Sequence, residues 1–113
     1  ARIEVEAMRL MVLRAAKAMD VLGNAEARVW VSAVKAMVPE KCCDIIDEVI
    51  QMHGAAGITQ WFPLAEMYHS QRTLRLADGP DEVHARAIAR LELGKYGEAS
   101  PAGLSSGDLA VTR

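Results

Sequence analysis

Apolar side chains at helical spacing run through this sequence almost to Tyr96, and no stretch calls for a strand. Met8, Met11, Val12, Ala15, Met19 and Leu22 recur at the i, i+3, i+4, i+7 spacing of one helix face, with Arg14 and Lys17 on the other side. A first helix is expected over residues 4–22, stopped by Gly23. Asn24 suits the N-cap of a second, longer helix over residues 25–53, with Glu26 in its first turn. Val29, Trp30, Ala33 and Met37 form its first apolar stripe, and Cys42, Ile45, Ile46 and Val49 resume it beyond Pro39. Proline inside a helix removes one backbone hydrogen bond. Because the stripe continues, the spacing predicts one kinked helix rather than two.

Residues 54–62, GAAGITQWF, read as a helix stop at Gly54 and a turn at Gly57. Pro63 then sits where a first helical residue often sits. A third helix is expected over residues 64–76, with Leu64, Met67, Tyr68 and Gln71 along one side. A fourth should span residues 80–96, with Val83, Ala87, Ile88 and Leu91 as its apolar face and Arg86 and Arg90 elsewhere. From Gly97 on, the chain is rich in Gly, Ser and Ala and buries too little to offset its ordering entropy. Residues 1–96 therefore read as one all-α domain, an antiparallel helical bundle, and residues 97–113 as a disordered tail.

A chain of 113 residues suggests one domain. Its apolar share of 51% and charged share of 25% are those of a globular protein. Aromatics are only 4%, so the core must rest on aliphatic residues and six Met. A net charge of −2 supplies no basic field, which argues against a nucleic-acid partner. No apolar run approaches the roughly 20 residues that span a bilayer. The opening ARIEVEAMRL mixes charges with apolar residues, unlike a signal peptide. The expectation is a soluble protein of the cytoplasm or an organelle matrix, not a secreted one. Cys42 and Cys43 are neighbours, which point about 100° apart on a helix, so they read as reduced structural thiols. His53, His69 and His84 never pair at i, i+4, and no metal site is expected.

One feature does not close on itself. Ile3, Val5, Leu10 and Leu13 lie outside the main stripe of the first helix. A helix apolar over most of its circumference needs neighbours on several sides. The chain thus reads as a piece of something larger, or as one subunit of an oligomer.

The five residues Asp78-Gly79-Pro80-Asp81-Glu82 carry three carboxylates. A local reading explains most of them: Asp78 or Gly79 caps the fourth helix, Pro80 opens it, and Asp81 and Glu82 complement its dipole. Asp78 is surplus to that reading. Beside Leu76 and Ala77 it could face an apolar pocket, which would raise its pKa toward a general base's range.

Taken in order, these motifs resemble a known family. Gln51 followed by MHGAAG, a Pro-started helix, then LRLADGPDEVHARAIARLEL is similar to the C-terminal helical domain of acyl-CoA dehydrogenases. That family carries Q-x-x-G-G-x-G, a Y-P-(L/V) helix start and Y-E-G-T-x-Q-I-x-R-x-x-I-A-R. The ADGPDEVH form looks most like the branch that includes acyl-CoA dehydrogenases 10 and 11. The similarity covers residues 1–96.

The resemblance implies FAD as cofactor and an acyl-CoA thioester as substrate in fatty acid metabolism. It implies a homo-oligomer, a dimer or tetramer, built through the bundle, and an electron-transfer flavoprotein as electron acceptor. By the resemblance, Gln51, His53, Gly54 and Ala55 would touch the ADP portion of a flavin bound mainly by a partner subunit. Pro80, Asp81 and Glu82 fall on the T-x-Q segment, which also contacts FAD. Pro80 there has neither N–H nor hydroxyl, and Glu82 cannot donate as glutamine does. Asp78 falls on the catalytic glutamate, one methylene shorter, and Gly79 would let the thioester carbonyl approach the backbone. Some members supply the base from another helix. The family's chains are several times longer, so this one reads as a C-terminal part, inactive by itself. Two alternatives stay open: a non-catalytic helical oligomerisation module, and a flavin monooxygenase or oxidase on the same fold.

Overall fold

The computed structural model of the protein describes residues 1–97. It contains four α-helices, α1 (Arg2–Leu22), α2 (Asn24–His53), α3 (Leu64–Leu74) and α4 (Asp81–Gly94), with a 3-10 turn (Gly54–Ile58) between α2 and α3. Among the described residues there is no strand. The expected tail lies outside them, apart from Gly97 itself.

Gly23 serves two helices at once. Its N–H donates to Met19 O at 3.1 Å and closes α1, and its carbonyl accepts from Ala27 N–H at 3.0 Å and opens α2. Its backbone, φ +81 and ψ 172, is open only to glycine. Asn24 was the expected cap; it is instead the first residue of α2, which has no side-chain cap. Beyond it α2 runs unbroken through Pro39, so the element is one helix. Pro39 is buried and has no N–H, which leaves Lys35 C=O without its helical partner.

The other boundaries move by a residue or two. α3 stops at Leu74, because the amides of Leu76 and Ala77 both turn back to Thr73 O at 3.0 Å. Pro80 is the extended N-cap of α4, φ −59 and ψ 161, rather than its first helical residue. α4 ends at Gly94, and Lys95, Tyr96 and Gly97 continue only as a turn.

α1, α3 and α4 each pack on α2, and none of them packs on another. α1 runs antiparallel to α2: Met8 Sδ lies 4.0 Å from Cys42 Sγ, and the Arg14 guanidinium lies 4.9 Å over the Trp30 ring. α3 runs back along α2 and brings its last residue, Leu74, to Lys35. The architecture is all-α as expected, but the bundle is open.

Its core is correspondingly thin. Met8, Ala15, Ala18, Ala27, Cys43 and Ile46 are buried, and no large side chain is fully enclosed. From the expected α1 stripe, Met8 and Ala15 are buried while Val12, Met19 and Leu22 stay exposed. The radius of gyration is 18.5 Å, against about 13 Å for a compact chain of this length. Ile3, Leu10, Leu13 and Val21 form an exposed apolar stripe on the far side of α1. Of the surplus apolar residues expected from the sequence, Ile3, Leu10 and Leu13 belong to this stripe, and Val5 is exposed outside it.

Candidate functional site

The turn between α3 and α4 holds Asp78 and Gly79. Asp78 has φ +56, the one left-handed non-glycine residue among those described. Such a backbone costs an L-residue about 1–2 kcal/mol, and aspartate is among the few residues that visit it routinely. Gly79 follows at φ +101. A Cβ there would meet His84 Nε2 at 3.1 Å, a tight approach added to a backbone that L side chains rarely adopt. The Asp78 carboxylate belongs to an exposed residue. The apolar pocket expected around it is not formed by the described residues.

Four side chains fix this turn. Lys35, from the middle of α2, donates from Nζ to Leu74 O and, at 3.2 Å, to Gly79 O. Arg75 Nε donates to Asp81 Oδ2 at 2.6 Å, while Arg75 Nη2 lies 3.5 Å from Glu40 Oε1 on α2. The Asp81 carboxylate, hydrogen-bonded to it, raises the Arg75 guanidinium pKa above its ordinary value. His84 Nε2–H donates to Asp78 O at 3.2 Å, since a carbonyl can only accept. Asp81 also closes the turn through its amide, which donates to Arg75 O at 3.3 Å. Its second carboxylate oxygen, Oδ1, is buried and has no hydrogen-bond partner.

Gln51, His53, Gly54 and Ala55 form a separate group at the end of α2, all exposed. His53 Nδ1–H donates to Val49 O at 2.8 Å, which leaves Nε2 as the acceptor of the neutral ring. The ring meets Phe62 edge-on at 5.1 Å. Gly54 has φ +60, and nothing lies within 4 Å of where its Cβ would be. Gly57 is different. A Cβ there would fall 2.8 Å from Ile50 O, so the 3-10 turn is pressed directly on α2. Lys35 and His53 stand eighteen residues apart on α2, about 27 Å of helix at about 1.5 Å per residue. The two groups therefore lie at well-separated places in the chain.

The remaining sequence candidates are dispersed. Among the described residues no three His, Cys, Asp or Glu side chains converge. Cys42 and Cys43 are free, and burial pushes both thiols up. No helix among the described residues is long and apolar enough to cross a membrane. Sequence reasoning missed Lys35, Glu40 and Arg75. Lys35 acts through backbone carbonyls and Glu40 across thirty-five residues, while Arg75 reaches both Glu40 and Asp81, six residues on, and none of these leaves a local pattern. The one available signal was a lysine placed among Ala33, Val34, Ala36 and Met37, where a charge needs acceptors.

The described residues thus form an all-α domain built on one long helix, with a glycine-bracketed turn at its end and a carboxylate-rich turn against its middle. The family profile described as "Acyl-CoA dehydrogenase, C-terminal domain" matches residues 1–93, and the chain belongs to that family. It is 53% identical over 92 residues to acyl-CoA dehydrogenase family member 11 of Rattus norvegicus, covering 81% of this chain and 12% of that protein. It is 47% identical over 92 residues to family member 10 of Mus musculus, covering 81% and 9%. A solved structure described as a "putative acyl-CoA dehydrogenase from Mycobacterium abscessus" superposes with a TM-score of 0.83 at 46% identity, covering 84% of this chain and 23% of that one. The chain thus spans less than a quarter of the length of these relatives.

Proposed function

We infer that the chain is the C-terminal helical part of a flavin-dependent acyl-CoA dehydrogenase. In this reading Asp78 is the carboxylate that takes the α-proton of an acyl-CoA thioester. FAD, when bound, supplies the acceptor for the hydride that leaves the β-carbon. The observation that carries the assignment is the left-handed backbone of Asp78, held between Lys35, His84 and the Arg75–Asp81 pair. A left-handed backbone at an exposed carboxylate, maintained by several tethers, supports a functional role for that residue. The adjacent Gly79 gives a thioester carbonyl room to approach the backbone.

The residues at the end of α2 fit the ADP portion of a flavin. Gly54 offers backbone with open space around it, and Gln51, His53 and Ala55 are exposed beside it. Because this group stands about 27 Å along α2 from Lys35 and the Asp78 turn, one chain would serve two flavin sites. The exposed stripe Ile3, Leu10, Leu13 and Val21 supports a homo-oligomer in which those sites are shared. The family's electron-transfer flavoprotein would then accept the electrons.

The turn fits less well. Pro80 has no N–H, and Asp81 spends its amide and one carboxylate oxygen within the turn. These two facts favour the second reading, a helical oligomerisation module that has lost its chemistry. A full-length protein carrying this chain separates the two. A yellow flavin band bleached by acyl-CoA supports the dehydrogenase, and a purified protein with no FAD supports the module. An Asp78→Asn holoenzyme should be reduced at least about 10²-fold more slowly. Near-normal reduction would move the base elsewhere.

A further inference from the structure

We propose that Lys35 is the positioning residue for Asp78: its ammonium ties the two ends of the turn together and so sets where the Asp78 carboxylate stands. The proposal rests on the reading of Asp78 as the base. Leu74 is the last residue of α3, and Gly79 immediately precedes the cap of α4. Their carbonyls are five residues apart in sequence, and a single Nζ donates to both. Asp78 lies inside the segment thus clasped.

The chemistry suits a lysine. Leu74 O is one of the carbonyls that a helix leaves unpaired at its C-terminus, and a cation is favoured there by the dipole. An ammonium has three donors on one atom, so it can hold two carbonyls while remaining half-buried against α2. The other tethers act elsewhere. Arg75 and Asp81 lock the entrance to α4, and His84 holds Asp78 O from within α4 itself. Of the four, only Lys35 links the carbonyl just after Asp78 to α2, the helix on which the rest of the domain is built. Lys35 also sits one helical turn before Pro39, and its own carbonyl is the one that Pro39 leaves free.

The test uses the full-length holoenzyme with Lys35→Met, which keeps the apolar stem and removes the donors. Flavin reduction at saturating acyl-CoA should slow about 10- to 100-fold, the loss expected from misplacing a reacting group by about 1 Å. Acyl-CoA affinity and flavin content should stay near those of the parent. Hydrogen exchange, which needs no turnover, should quicken at the amides of residues 75–81. Combined with Asp78→Asn, the lysine change should slow reduction no further than Asp78→Asn alone. Slow reduction in Asp78→Asn with normal reduction in Lys35→Met overturns this proposal and leaves the base assigned. Normal reduction in Asp78→Asn overturns the base itself, and with it the role given to Lys35. Fully additive losses in the double variant would also overturn it. If Lys35→Met does not yield folded holoenzyme, Lys35→Gln, with one donor group and no charge, carries the same comparisons.

Discussion

Arg75 Nε and Asp81 Oδ2 meet at 2.6 Å and close the turn into α4. The two partners are not equivalent. Asp81 Oδ1 already lies buried without a partner, so removing the arginine would strand a carboxylate with neither oxygen paired. Removing the carboxylate leaves an arginine that still reaches Glu40. Arg75→Met should therefore lower the thermal midpoint of the full-length protein more than Asp81→Ala does. Differential scanning calorimetry of the two variants decides the order; equal shifts would mean that water reaches Oδ1.

Asp78 pays a conformational cost that glycine would not. Asp78→Gly should leave the thermal midpoint unchanged or slightly raised while reducing flavin turnover by at least about 10²-fold. A midpoint and a stopped-flow trace on the same preparation test both halves.

Two glycines should respond in opposite directions. Gly57→Ala would put a methyl 2.8 Å from Ile50 O, a backbone atom that cannot step aside. It should cost about 1–3 kcal/mol, as overpacking does. Gly94 ends α4 with open space at its Cβ position and without a positive φ. Gly94→Ala should stabilise by about 0.4–1 kcal/mol through the unfolded chain. Urea melts monitored by circular dichroism would show both.

The buried thiols give a pH dependence of known sign. Burial raises the folded-state pKa of Cys42 and Cys43 above the unfolded value near 9.0. Above that pH the native state keeps protons that the unfolded chain has lost. Stability from this source is complete below pH 9 and falls as pH rises beyond it. Cys43→Ala should flatten that alkaline limb in unfolding curves collected between pH 7 and 10.5, whatever it does to the midpoint at neutral pH.

The exposed stripe on α1 should matter to assembly. Leu10→Lys together with Leu13→Glu breaks an apolar surface that does not touch the Asp78 turn. Light scattering of the full-length protein should report a smaller particle. An unchanged mass would place the subunit interface elsewhere.

The helices were legible because burial repeats along a helix with one period, and α2 kept that period on both sides of Pro39. The Asp78-Gly79 pair read as a cap for α4, whereas both residues are left-handed and Pro80 takes the cap. The caps were harder. Asn24 and Gly23 compete for one position, and glycine wins because a single residue must leave α1 and enter α2 at φ +81. Val12, Met19 and Leu22 read as core, yet the open packing of α1 against α2 alone leaves them exposed. The candidate site was half visible. Its carboxylates stand together in the sequence, but Lys35 comes to them from thirty-nine residues before Leu74 through a contact with main chain, which any residue type at Leu74 would supply.

Among the described residues α1, α3 and α4 pack on α2 and not on one another, so α2 is the element that joins them. The turn that carries Asp78 is anchored to that helix at Lys35, one helical turn before Pro39. That stretch lacks one backbone hydrogen bond, because Pro39 has no N–H to offer Lys35 C=O. Among the described residues, the α1 surface and the Asp78 turn are thus joined by one rod rather than by a shared core.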